Sequence, residues 1–334
     1  ASAPAAAEVV GAAAAAAAPA APFRRCQSGT ATLLSGGVAG CVGKTVTAPL
    51  TRLTVLAQTS SLVSSSPLAI AYSDSVRHRA FADGRIVAGL RHIVQLEGMG
   101  ALWKGNAITC LHRFPLTGIN FTVVKACKRF LPAAPGCSSW RRLVPGAVAA
   151  CVSTSVCYPL EVVRTRIMAR ASLRCPAGQL IPGSSPADML MVLAKQDGRR
   201  GMFRGLGLGL AVTIPSVSIS FCVYDCVREL FEAQGIPASS FSATLVAGGT
   251  AGVAGSSVTF PLDVLRRRLQ VMGMCSDVPV RSWLQEARHI LFSEGIPGFF
   301  RGLFPEVAKV FPAVAITFLT FEELQLCLQA RRHE

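Results

Sequence analysis

Three short stretches of this chain repeat one pattern of residue types at one spacing. They read Glu97-Gly98 followed by Trp103-Lys104-Gly105, Asp197-Gly198 followed by Phe203-Arg204-Gly205, and Glu294-Gly295 followed by Phe300-Arg301-Gly302. Acid, glycine, aromatic, base and glycine hold the same separations each time. A proline precedes each set in a matched context: Ala48-Pro49-Leu50, Tyr158-Pro159-Leu160 and Phe260-Pro261-Leu262. The prolines lie 110 and 102 residues apart, and the terminal glycines 100 and 97 apart. Chance does not produce this, so the chain is three copies of one unit. The units are assigned to residues 29–131, 138–233 and 239–330. Residues 1–28 form an Ala/Pro-rich segment of low complexity, expected to be disordered.

The residues between the motifs are largely apolar. Residues 26–43, 143–160 and 205–224 are uncharged runs of roughly the ~20 residues a spanning helix needs. The run 233–262 is longer, and Gly235 and Pro237 predict a turn before its span. Segments near 106–130 and 303–328 are apolar but interrupted, by His112, Arg113 and Lys125 in one and by Glu306 and Lys309 in the other. Six spans result, two per unit, with a polar segment and a short amphipathic helix inside each unit.

Composition agrees. Of 334 residues, 51% are hydrophobic and 15% charged, against roughly 25% charged in a soluble domain. Too few charges remain to cover a soluble surface, and the hydrophobic content excludes disorder. The 33 Lys+Arg against 18 Asp+Glu give a net charge of +15. A nucleic-acid binder would set aromatics beside its basic patches, and aromatics are 7% here. An anionic solute or anionic lipid accounts better for the surplus. The twelve cysteines include no C-x-x-C pair, and the five histidines show no ligand spacing, so no metal site or cofactor is expected.

Odd helices closing on P-x-[D/E]-x-x-[K/R], and even helices opening after [D/E]-G-x(4)-[W/F]-[K/R]-G, resemble the mitochondrial carrier (solute carrier 25) family over about residues 29–330. The resemblance implies an all-α membrane protein. Its six transmembrane helices, in three pseudo-symmetric repeats, form a barrel around one substrate site, with short amphipathic helices on the matrix side. It implies the mitochondrial inner membrane, with the plastid envelope as the alternative. A monomer contacting lipids such as cardiolipin, and no nucleic acid, is expected.

Prolines inside helices cost ~3 kcal/mol if uncompensated and kink them, so Pro49, Pro159 and Pro261 let three helices converge. Charges after each kink then meet near the axis, where ions need partners. By the family's ring order Glu161 pairs with Arg266 in this matrix gate. The first unit departs from the pattern: Thr51 and Thr54 replace its acid and base, leaving Arg164 and Asp263 without partners. Arg52 is expected to turn inward toward Asp263. Gln58 and Gln270, nine residues after Pro49 and Pro261, match the family's brace position beneath the ring. The opposite, cytoplasmic gate implies Lys128 with Asp225, Arg228 with Glu322, and Gln325 facing Lys125.

For the substrate, the stretch Gly43-Lys44-Thr45-Val46-Thr47-Ala48-Pro49 resembles the family's nucleotide carriers, where the lysine meets phosphate. His112 and Arg113 on the second helix, and Lys309 on the sixth, complete an expected cationic site. Val212-Thr213 stands where adenine-contacting carriers have Gly-Ile/Val, which disfavours an adenine slot. No nucleophile–base pairing suggests an enzyme. The expected function is transport, as exchange, of a nucleotide-like anion such as coenzyme A or an adenine nucleotide by alternating access. The eroded first unit also suits a carrier-fold interaction subunit that no longer transports.

Overall fold

The computed structural model describes residues 29–64, 86–130, 140–169, 186–235, 240–274 and 280–330, and among them there is no strand. The expected tail at 1–28 lies outside these residues. In the first repeat, α1 (Gly29–Val46) and α2 (Ala48–Ser64) form one odd span, α3 (Ile86–Glu97) is the short amphipathic helix, and α4 (Asn106–Phe130) is the even span. In the second they are α5 (Trp140–Ala169), α6 (Pro186–Gln196) with the one-turn α7 (Gly198–Met202), and α8 (Leu206–Ala233). In the third they are α9 (Phe241–Val271), α10 (Trp283–Ser293) and α11 (Leu303–Ala330).

The six spans close into a ring. Each packs on the next in chain order, from α1 to α4, α5, α8, α9 and α11, and α11 returns to α1. The ring narrows at one end, where α2, α5 and α9 touch one another. A buried apolar cluster joins all three there: Val55 and Leu62, Met168 and Ala169, and Leu269, Val271 and Met272. Three satellite clusters seat the amphipathic helices on the odd spans. Ile93 meets Leu53 and Leu56, Met189 and Leu193 meet Val162 and Val163, and Ile290 meets Val264 and Leu265. These apolar faces recur because the motif spacing recurs.

Four helical stretches among the described residues are long and apolar enough to cross a membrane by length and composition: 144–169, 198–233, 243–271 and 296–321. The first repeat supplies none, for two physical reasons. Its even span α4 carries His112, Arg113 and Lys125 along its length. Its odd span is interrupted at Thr47, which puts Pro49 near the start of α2, although Thr47 N–H still donates to the Gly43 carbonyl and Thr51 N–H to the Thr47 carbonyl across the interruption. Pro159 and Pro261 instead lie inside continuous helices. The carbonyl four residues before Pro49 belongs to Thr45, and it accepts a hydrogen bond from Trp103 Nε1 at 3.0 Å. The other repeats carry Phe203 and Phe300 there, which have no such donor.

The motif's last glycine locks neighbouring repeats together. Gly105, Gly205 and Gly302 have φ of 85°, 86° and 88°, a region disfavoured for residues with a Cβ. Each abuts the following repeat's odd span, and a Cβ would come within 2.9 Å of Met168, 3.0 Å of the Tyr158 hydroxyl and 3.2 Å of the Thr54 carbonyl oxygen, respectively. The second of these contacts lies within its own repeat, but Gly205 also faces the Arg266 carbonyl at 3.4 Å.

Candidate functional site

At the narrow end Arg266 donates to the Glu161 carboxylate at 2.6 Å, with both side chains buried. Beneath them Gln270 Nε2 donates to the Tyr158 hydroxyl at 3.1 Å and to Glu161 at 3.2 Å, while its carbonyl oxygen accepts from Thr165 at 2.9 Å. Tyr158 presents its ring face to the Arg266 guanidinium at 5.3 Å. One buried ion pair is thus hydrogen-bonded on several sides, the condition under which such a pair is tolerated.

The first repeat brings nothing equivalent. Thr51 and Thr54 turn their hydroxyls back to the carbonyls of Thr47 and Leu50 at 3.0 Å each. Both carboxylate oxygens of Asp263 are buried without a hydrogen-bond partner. Arg52 does not serve Asp263 as expected: it donates to Glu97 at 2.7 Å and to the Ala101 carbonyl. Successive helical residues are rotated by about 100°, so a side chain next to Thr51 leaves the axis and faces α3. Gln58 departs from expectation too. Its side-chain amide is buried with no hydrogen-bond partner, because no ion pair stands above it to brace.

Arg52 has counterparts that the sequence reading missed. Arg166 reaches Asp197 at 2.7 Å and Arg268 reaches Glu294 at 2.7 Å, so every motif acid meets a buried arginine. The signal was present: both stand seven residues after the repeat's proline. In the first repeat that position is Leu56, and Arg52, one turn earlier, takes its place. Arg166 also donates to the Gln270 carbonyl and Arg268 to the Gln58 carbonyl, each at 3.0 Å, tying each repeat to the next. Arg52 ties only to its own repeat.

Several of the expected substrate residues lie within electrostatic reach of one another or of shared charges. Lys309 pairs with Glu306 at 2.6 Å, both buried. Lys44 feels the charges of Arg164, Glu306 and Arg267, and Arg113 that of Arg164. His112 is buried, with Nε2 lacking a hydrogen-bond partner, within electrostatic reach of Glu161 and Arg164. Gly40 makes room for Arg113, since a Cβ there would sit 2.6 Å from its Nε. Val212 and Thr213 are buried, and the Thr213 hydroxyl donates to the Gly209 carbonyl at 2.8 Å.

At the wide end Lys125 and Asp225 are exposed, and Arg228 pairs along its own helix with Glu232 at 3.5 Å. The side chains of Lys128, Glu322 and Gln325 lie outside the described residues, and with them the three expected cytoplasmic contacts. No group of three or more His, Cys, Asp or Glu among the described residues could hold a metal ion.

A closed ring of six helices in three repeats, narrowing to an ion pair beneath a cluster of buried cations, defines a solute carrier. The family model for mitochondrial carrier proteins matches residues 27–134, 136–235 and 237–332. The chain is 34% identical over 307 residues to mitochondrial thiamine pyrophosphate carrier 1 of Neurospora crassa, covering 86% of this chain and 88% of that protein. It is 32% identical over 308 residues to the protein of that name from Botryotinia fuckeliana, covering 89% of this chain and 92% of that protein. To the human mitochondrial adenyl nucleotide antiporter SLC25A24 it is 27% identical over 300 residues, 89% of this chain and 58% of that protein. The chain belongs to the mitochondrial carrier family and is a multi-pass transport protein of the mitochondrial inner membrane.

Proposed function

We propose that this carrier exchanges a phosphorylated organic anion of the nucleotide or thiamine pyrophosphate type by alternating access. The observation that carries this reading is the charge balance at membrane depth. Lys44, Arg113, Arg164, Arg266, Arg267 and Lys309 form a chain of electrostatic neighbours that includes three carboxylates, those of Glu161, Asp263 and Glu306, with Arg113 joined to it through Arg164. The surplus of three positive charges suits a diphosphate, and buried ions without counter-charges are costly. Relatives named for thiamine pyrophosphate and adenyl nucleotides share the chemistry of a phosphorylated substrate. Burial of Val212 and Thr213 argues against an adenine-specific slot on α8.

Substrate binds preferentially to intermediate states in which neither gate is fully formed, and so shifts a pre-existing equilibrium between inward- and outward-facing forms. The test is uptake by liposomes holding the purified protein. The panel is labelled thiamine pyrophosphate, adenine nucleotides, coenzyme A, orthophosphate and dicarboxylates, with and without internal substrate. Uptake of phosphorylated members, dependent on internal substrate and abolished by Lys44→Ala or Lys309→Ala in folded protein, is expected. Uptake confined to dicarboxylates, or wild-type rates in both variants, overturns the proposal.

A further inference from the structure

Arg164 occupies the ring position of a gate base, yet nothing in the gate answers it. It is 4% exposed, and its Nε is buried without a hydrogen-bond partner. No described acid lies within ion-pair distance of it. Glu161, one turn earlier on α5, is engaged by Arg266 and Gln270. Glu306 is engaged by Lys309. The family's ring order sets Thr51 opposite it, and the Thr51 hydroxyl points back to Thr47. A buried arginine cannot shed its charge by losing a proton, so among the described residues this cation is left without an ion-pair partner of its own.

Its surroundings say what would supply one. Arg164 lies within electrostatic reach of the candidate substrate residues: Lys44, Arg113 and His112 each feel its charge, and it feels those of Arg267, Glu161 and Glu306. A planar guanidinium offers a phosphate two parallel hydrogen bonds, which a threonine hydroxyl cannot match. We propose that Arg164 is a substrate-binding residue that takes a phosphate group of the transported anion, the substrate supplying the negative charge that the gate lacks at Thr51. This rests on the phosphorylated-anion reading above and deepens it. The gate base of repeat 2 then reports directly on occupancy. With the site empty, the described residues of the seam between repeats 1 and 2 make no ion pair; with phosphate bound, both repeats are drawn onto one anion.

The two roles open to Arg164, gate strut and phosphate ligand, give opposite signs in one experiment. Thr51→Asp restores a carboxylate opposite Arg164. If Arg164 binds substrate, the new aspartate competes: the ligand-free melting temperature rises, the stabilisation by thiamine pyrophosphate or ADP shrinks, and the half-saturating concentration for uptake rises about tenfold, the equivalent of ~1.4 kcal/mol. If Arg164 is only a strut, Thr51→Asp stabilises the protein and leaves half-saturation unchanged, which overturns the proposal. Arg164→Gln supplies the second arm should Thr51→Asp fail to fold. Half-saturation about tenfold higher, with little change in ligand-free melting, supports binding; a large fall in ligand-free melting with unchanged half-saturation overturns it. Wild-type protein neither stabilised by nor transporting any phosphorylated anion removes the underlying reading as well. Wild-type transport of diphosphates with unaltered Arg164→Gln kinetics removes this inference alone.

Discussion

The seam between repeats 2 and 3 and the seam between repeats 1 and 2 occupy equivalent places in the ring and are built very differently. The first holds the Glu161–Arg266 pair, the Gln270 brace, and two arginines, Arg166 and Arg204, that donate to the Gln270 and Met272 carbonyls at 3.0 and 2.6 Å. The second holds, among the described residues, the close packing of Gly105 on Met168 and the shared apolar cluster, and the family's ring order pairs Arg164 with Thr51 there. Pseudo-symmetry in the backbone therefore does not imply symmetry in energy. Polar ties concentrate on one seam and leave another to packing, where substrate charge has the most to add.

That contrast can be broken from the strong side. Glu161→Gln removes the acid that, among the described residues, is bonded to Arg266 and leaves a buried guanidinium without that counter-charge, which costs about 3 kcal/mol or more. A large fall in melting temperature is expected, with the 2–3 seam reduced to the condition of its neighbour. Unchanged melting would show that the pair contributes nothing.

A smaller effect sharpens the difference between the arginines that meet the motif acids. Arg166→Gln removes the bonds to Asp197 and to the Gln270 carbonyl of the next repeat, while Met272 keeps Arg204, and it loses about 2 kcal/mol, in the range for hydrogen bonds to charged groups. Arg52→Gln is expected to lose under ~1 kcal/mol, because Glu97 is partly exposed and keeps Lys104 at 2.6 Å. Denaturation of the two variants in the same detergent gives the order, and equal losses would contradict it.

The smallest effect is on pH dependence. Burial pushes the Glu97 carboxyl up, but hydrogen bonds from Lys104 and Arg52 outweigh it and hold the carboxyl below its usual range. Folding thus favours the charged form. The stabilisation is complete above the unfolded pKa, ~4.3, and is lost as pH falls through the lower folded value. Melting temperature followed from pH 6 downward should show this loss shifted to higher pH in Lys104→Ala, and superimposable profiles would exclude it.

Much of the architecture was legible because two periodic signals coincide: a motif repeated at near-constant spacing and apolar runs of spanning length. The Glu161–Arg266 contact followed from the family's ring order applied to the charges after Pro159 and Pro261. What escaped was helical phase within runs of like residues. Arg266, Arg267 and Arg268 read as one basic stretch, yet they meet different partners: Arg266 bonds Glu161, Arg267 lies within electrostatic reach of Asp263 and Lys309, and Arg268 bonds Glu294. The same blindness placed Arg52 at Asp263, where one residue of rotation sends it to Glu97. The Trp103 bond to the Thr45 carbonyl was hidden for another reason: tryptophan and phenylalanine are equivalent as motif aromatics and differ only where a proline has left an acceptor bare.

The glycines that end each motif have an assembly consequence. Gly105 abuts α5, Gly205 abuts α9 and Gly302 abuts α2, so each repeat offers one surface forward and receives a different one from behind. Such an interface is heterologous, like the contact between subunits of a cyclic trimer, and it closes after three steps because the rotation per step is a third of a turn. The single chain is thus a tethered ring. Its linkers set the order of the repeats, and the glycine seats set their number: a fourth copy would find both mating surfaces already occupied.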